Sequence, residues 1–378
     1  MPFSFRFFSF LLLSVSVSVP ACAQVIFGAR VNGGNGPVTG LFQASGGTVT
    51  PINTGLPSND FASLSPDGTM ITISSADPAQ PNEASTDLFA YNRVTGQTRR
   101  LFNNTTQTQP DGSHLFASPM FSGTSADGTL VAFVNVLASS SNSQGGGAIR
   151  QLKVLRASDG FDLGDAELGH GNQTDYFQSE FNGIAWTRSG HSFVTPAYVP
   201  VTTNSGRQTI AAGLVLFARQ NNGSFARAQT ITVPQVFDNP GGGIVVQTHA
   251  MPAISPDGQR IAFFRLTWPN PLLTQPATPE LIVINPSQGT GSVLAQFNPG
   301  VFPLGVAWSA DGGTLVFSLA NQVNQSGSWA PAGDPASAGL LTIPASGGAL
   351  GSVAGAPSGY FPNVVPGIPG LIFRNGFE

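Results

Sequence analysis

Leu64-Ser65-Pro66-Asp67-Gly68-Thr69-Met70-Ile71-Thr72-Ile73 is the stretch on which the fold turns. A small polar residue and an Asp-Gly pair ahead of a run of Thr, Met and Ile read as a tight turn feeding a strand. The pattern returns along the chain. Ser125-Ala126-Asp127-Gly128 precedes Leu130-Val131-Ala132-Phe133-Val134, and Ile254-Ser255-Pro256-Asp257-Gly258 precedes Ile261-Ala262-Phe263-Phe264. Ala307-Trp308-Ser309-Ala310-Asp311-Gly312 precedes Leu315-Val316-Phe317, and a degenerate copy, Ala185-Trp186-Thr187-Arg188-Ser189-Gly190, precedes Phe193-Val194. With Asp67, Asp127, Ser189, Asp257 and Asp311 as equivalents, the spacings are 60, 62, 68 and 54 residues. Self-similarity at such a period marks an array of supersecondary units.

A second series of turns keeps the same period. Gly46-Gly47, Gly96, Asp159-Gly160, Asn222-Gly223, Gly289 and Gly347-Gly348 each close a β-rich run, such as Leu88-Phe89-Ala90-Tyr91 or Leu281-Ile282-Val283-Ile284. These are hairpin signals. Each unit then reads strand 1, Asp-Gly turn, strand 2, long loop, strand 3, Gly turn, strand 4. The first unit, Val25 to Thr54, lacks a strand 1, while Tyr360-Phe361-Pro362-Asn363-Val364-Val365-Pro366 is a strand 1 with no unit behind it. Joining the two completes a sixth blade and leaves no open edge. The sequence thus predicts an all-β, six-bladed β-propeller of four-stranded antiparallel blades, the last closed by strands from both termini. The propeller is expected over residues 24–371, with repeats at about 25–56, 57–110, 111–178, 179–240, 241–298 and 299–353 and a closing strand at 357–371. Apolar residues on both faces of strand 2, as in Leu130 to Val134, suit a blade packed on both sides.

The Ser-Pro-Asp-Gly turn with Ile-Ala-Phe after it resembles the WD-like repeat of TolB-type six-bladed propellers. Leu88-Phe89-Ala90-Tyr91-Asn92-Arg93-Val94-Thr95-Gly96, continued to Leu101, resembles that family's strand 3–turn–strand 4 half. The resemblance covers nearly all of residues 24–371 and implies the fold. TolB carries a separate α/β domain ahead of its propeller, for which the repeats leave no room, so its envelope-complex role is not implied with the fold.

Composition narrows the function classes. Only 9% of the 378 residues are charged, Lys153 is the single lysine, and the formal net charge is -4. A chain this weakly charged has no electrostatic footprint for nucleic acid. Residues 1–23 read as a secretory signal: Arg6, an apolar stretch from Phe7 to Val19, and the small-x-small site Ala21-Cys22-Ala23. The apolar run is shorter than the ~20 residues a membrane span requires. Lipidation at Cys22, as in an outer-membrane lipoprotein, is disfavoured by Pro20 in its box. An exported protein, periplasmic or extracellular, is expected. Residues 372–378 resemble a short C-terminal tail of exported bacterial proteins, or else extend the closing strand.

The repeated Asp67-Gly68, Asp127-Gly128, Asp257-Gly258 and Asp311-Gly312 pairs are read as structural turns, the carboxylate capping backbone N–H groups and the glycine supplying positive φ. Meander topology puts the short turns on one face and the long 2–3 loops and blade-to-blade connections on the other. Asp60, His114, Glu180, His249 and Tyr360, from the connections, and Trp268 and Trp329, from 2–3 loops, are the candidate binding residues, centred on the channel mouth. The expected function is a non-enzymatic, monomeric binding or scaffold module with a protein partner. The alternatives are a glycan-binding module stacking sugars on Trp268, Trp329 and Tyr360, or a lyase of acidic polysaccharides like some related propellers. A lyase would gather His and Gln around a channel-bound metal ion, and only Gln247 and His249 lie close in sequence. No catalytic residue, metal site or cofactor is assigned: there is no zinc spacing, phosphate loop or Gly-x-Ser-x-Gly elbow. The acidic cluster Asp159, Asp162, Asp165 and Glu167 lacks a calcium-loop pattern.

Overall fold

The computed structural model describes residues 24–33, 36–80, 83–110, 112–139, 148–169, 180–239, 243–269, 275–325, 328–331, 339–356 and 359–365. The expected signal at 1–23 and the tail at 372–378 lie outside them. Six antiparallel sheets form the six blades of a propeller. Blade 1 pairs Tyr360–Val365, Gln24–Gly33, Gly36–Ser45 and Thr48–Ile52 in that order, so strands from the two ends of the chain close the ring (Gln24 opposite Val365, Val25 opposite Val364). Blade 2 is Asp60–Leu64, Met70–Ser75, Asp87–Asn92 and Thr98–Phe102; blade 3 is His114–Thr124, Leu130–Ser139, Ala148–Arg156 and Asp162–Leu168. Blade 4 is Ala185–Trp186, Ser192–Thr202, Gln208–Arg219 and Phe225–Thr230; blade 5 is Ile244–Ile254, Ile261–Trp268, Thr278–Asn285 and Thr290–Gln296. Blade 6 is Val301–Trp308, Thr314–Gln325, Gly339–Pro344 and Gly351–Ser352. The first-named strands touch one another in a closed ring around the axis. Among the described residues no helix is long and apolar enough to cross a membrane.

Three short strands go beyond the four-stranded unit. Gln107–Thr108 adds to the inner strand of blade 3, and Val236–Asp238 to that of blade 5. Ser328–Pro331 folds back on the end of Thr314–Gln325.

The core is divided among the six blade interfaces. Strand 2 of blade 3 shows why. Val131 and Phe133 pack toward blade 2 with Leu88 and Ala90, while Leu130, Ala132 and Val134 pack toward blade 4 with Phe193 and Phe217. Strand 2 of blade 5 divides likewise: Ile261 and Phe263 meet Val194 and Leu214 of blade 4, and Ala262 and Phe264 meet Leu315 and Phe317 of blade 6. Successive residues of a strand point to opposite faces. A strand buried on both faces must therefore be apolar at every position, which leaves charge to the rims.

Candidate functional site

The short-turn face is spent on structure. In blade 2 Ser65 Oγ donates to Asp67 Oδ1 at 2.6 Å and accepts from Met70 N–H at 2.9 Å, while Thr69 N–H and Oγ1 both donate to the Asp67 carboxylate. Blades 3, 5 and 6 repeat this box at Ser125 and Asp127, Ser255 and Asp257, and Ser309 and Asp311. The Ser255 and Ser309 hydroxyls hold the Asp257 and Asp311 carboxyls below the usual carboxylate range. Gly68, Gly128, Gly258 and Gly312 follow with φ of 74°, 70°, 71° and 67°. In blade 4 Thr187 and Ser189 close the same turn without a carboxylate, hydroxyl to hydroxyl at 3.0 Å.

Apolar side chains from several blades meet at the axis. Phe61, Phe121, Met251 and Phe361 each sit in the left-handed region, with φ of 49°, 46°, 53° and 51°, at irregular points of the inner strands. Bulky residues pay about 1–2 kcal/mol each for that conformation. Gly183 and Gly305 take the corresponding places in blades 4 and 6, with φ of 98° and 152°. A Cβ on Gly183 would come within 2.9 Å of the Met251 Cα, so glycine is needed there for close approach as well. The rings of Phe61, Phe121 and Phe361 lie 5.0–6.1 Å apart. Phe121 belongs to blade 3 yet packs against the cluster between blades 5 and 6, which it reaches only across the axis.

This arrangement relocates the residues expected around a channel mouth. Asp60 opens its inner strand, and its carboxylate accepts from Thr39 Oγ1 at 2.5 Å and Ser58 Oγ at 2.7 Å, tying blade 2 to blade 1. Glu180 is 2% exposed, with Arg150 Nη1 donating to its carbonyl at 2.8 Å. His114 is exposed, as expected, but it is the first residue of a strand and hydrogen-bonds Thr108 through Nδ1. His249 and Trp268 correct the sequence reading. Both were expected on loops. His249 instead lies within the inner strand of blade 5, 5% exposed, and Trp268 ends the second strand, 0% exposed, its Nε1–H donating to Thr248 Oγ1 at 3.1 Å. The strands continue through both residues, which are buried, so neither ring is on the surface and Trp268 offers no stacking platform. Trp329 lies on the Ser328–Pro331 strand and Tyr360 begins the closing strand; their side chains are outside the described set. The acidic cluster is neutralised by cations: Lys153 Nζ pairs with Asp162 at 3.0 Å and Asp165 at 2.6 Å, Arg156 with Asp159, and Arg227 with Glu167. Among the described residues no three His, Cys, Asp or Glu side chains converge on a metal-sized site.

The long-loop face is braced from blade to blade. Thr86 N–H donates to Ala117 O at 2.9 Å between blades 2 and 3. Ser205 N–H donates to Asp238 Oδ2 and Asp238 N–H to Asn204 Oδ1, both at 3.0 Å, between blades 4 and 5. Gln322 exchanges two amide bonds with the Ala277 backbone between blades 5 and 6. At the ends of these ladders, Ile149, Leu168, Ile210 and Phe237 stand 47%, 58%, 39% and 40% exposed.

One face of blade 5 borders a cavity of about 300 Å³ where the chain leaves blade 4. Its polar end holds Gln247, His249 and Arg265; Phe263, Ile282, Ile284 and Val293 line the rest. Register sets this order: His249 lies opposite Arg265 and Arg265 opposite Glu280, whereas Phe263, Ile282 and Val293 form the row two residues on, about 7 Å away. Arg265 Nε and Nη2 both bind Glu280 Oε2 at 2.7 Å. Thr232 Oγ1 accepts from Leu214 N–H at 2.9 Å and lies 2.7 Å from His249 Nδ1. Burial, with Arg265 nearby, drives the His249 pKa down to about 3, so the ring is neutral. Arg265 and Thr232 were missed in the sequence. Their signal was a lone arginine inside an apolar strand, Ile261-Ala262-Phe263-Phe264-Arg265-Leu266, opposite Glu280.

Comparisons with protein families and with curated proteins find no match. Solved structures do match. TolB from Acinetobacter baumannii is 13% identical, with a TM-score of 0.49 over 91% of this chain and 67% of that one. A putative TolB from Agrobacterium tumefaciens is 13% identical, with a TM-score of 0.43 over 90% and 91%. Oligogalacturonate lyase from Vibrio parahaemolyticus is 9% identical, with a TM-score of 0.40 over 88% and 86%. The propeller is similar to that of TolB. At these identities the likeness is one of fold, and function has to come from the site.

Proposed function

We propose that this propeller is an exported, non-enzymatic binding module that holds a protein partner on its long-loop face. The observation that carries this reading is the row of exposed apolar side chains at the long-loop ends of blades 3 to 5, Ile149, Leu168, Ile210 and Phe237. Ile210 and Phe237 flank the Ser205–Asp238 brace, so an apolar contact there meets a surface already held in place. Preordered apolar side chains with a polar surround are what a protein interface uses at its centre. Lys153, Arg227 and Arg265 are each engaged in an ion pair. Replacing Ile210 and Phe237 together by Asp is expected to abolish retention of the native partner on the immobilised protein. The control, Val94→Asp on the short-turn face, leaves it intact. Retention unchanged by the double replacement would remove the long-loop face from consideration.

A further inference from the structure

Nothing above gives the blade 5 cavity a task. Two of its polar residues, Gln247 at 9% exposed and His249 at 5%, are nearly buried yet open to the cavity. Among the described residues no protein group bonds the Gln247 amide or His249 Nε2, and neither is sealed from solvent. Both therefore face whatever fills the cavity.

Thr232 Oγ1 accepts the Leu214 N–H and pairs with His249 Nδ1 at 2.7 Å, as donor or as acceptor according to the imidazole tautomer. The neutral ring turns Nε2 to the cavity, where the Nε2–H tautomer presents a donor. Arg265 places Nε and Nη2 on Glu280, and among the described residues no acceptor takes Nη1. Arg265 Nη1 and the Gln247 amide, with the Nε2–H tautomer of His249, make a donor-bearing end suited to a carboxylate. Beyond it, Phe263, Ile282, Ile284 and Val293 form an apolar end suited to a hydrocarbon tail. We propose that the cavity of blade 5 binds a small amphipathic carboxylate, its head on Gln247, His249 and Arg265 and its tail along Phe263, Ile282 and Val293.

The test is calorimetric titration of the full chain with 3-phenylpropionate and with its neutral amide. Saturable one-to-one binding of the acid is expected, at least about tenfold tighter than the amide, because the charge-assisted bonds are lost. His249→Phe keeps the ring shape, removes Nε2–H, and weakens the acid at least about tenfold. Val293→Trp, at a half-exposed position, fills the apolar end; it abolishes binding while the melting temperature stays close to that of the parent. Any of three results overturns the proposal: no binding of the acid by the parent protein, equal binding of acid and amide, or binding undiminished in Val293→Trp. A transition metal that copurifies in stoichiometric amount and is lost in His249→Phe also overturns it. Partner retention by the long-loop face is a separate readout, so either reading can fail alone.

Discussion

His249 ties the stability of the propeller to pH in a way that one substitution exposes. The imidazole is buried among Thr232, Phe263 and Arg265, the last neutralised in turn by Glu280. In the unfolded chain it takes up a proton near its ordinary 6.5, whereas in the fold it stays neutral to about 3. Between those values the unfolded state binds one more proton, so stability is complete above pH 6.5 and falls as pH drops, by ~1.4 kcal/mol per pH unit. At pH 5 the loss is about 2 kcal/mol. His249→Phe removes this group while keeping an aromatic ring in the site. Urea unfolding of parent and variant at pH 8 and pH 5, followed by tryptophan fluorescence, isolates the contribution, because every other titrating group is common to both. The parent is expected to lose about 2 kcal/mol more than the variant over that interval. Parallel losses in the two proteins would refute the assignment of His249 as a buried neutral base.

Other perturbations probe other parts of the fold. Phe133→Ala empties the interface between blades 2 and 3 and should cost about 3–5 kcal/mol in chemical denaturation. Asp67→Ala removes the acceptor of three hydrogen bonds in its turn and should cost about 1.5 kcal/mol, with Asp67→Asn milder. The turn carboxylates at Asp257 and Asp311 titrate below the unfolded value, so their contribution is present above pH 4 and lost as pH falls through the folded value; Asp257→Asn should flatten the acid limb of a melting-temperature profile. A double-mutant cycle on Phe61 and Phe121 should return a coupling of about 0.5–1.5 kcal/mol if their rings meet on the axis as the 5.1 Å separation shows.

The architecture was legible because repeated turn chemistry survives divergence. Ser65-Pro66-Asp67-Gly68 and its copies report a local hydrogen-bond box, and a local box writes itself into consecutive residues. Closure was legible too, since Tyr360 to Val365 matched the strand missing before Val25. Side-chain placement was not. His249 and Trp268 lie inside the ladder of the first two strands of blade 5, opposite Arg265 and Val246, and only the three-dimensional register shows that those strands extend so far. The axial plug was missed although its mark is present: Phe61, Phe121 and Met251 stand six residues ahead of Asp67, Asp127 and Asp257. Hydrophobic patterning cannot single them out, because positive φ turns their side chains off the normal alternation. The blade 5 cavity depends on Thr232, His249 and Arg265, three residues from three separate segments, and has no local signature.

The claim that the long-loop face is the working surface is tested most directly by photocrosslinking in the native host. A photoreactive residue is placed in turn at Ile149, Ile210 and Phe237 on that face and at Val94, Phe161 and Leu350 on the short-turn face, all exposed positions. One adduct of a single mass, common to the first three positions and absent from the second three, is the predicted result. An adduct formed only from the short-turn positions would contradict it.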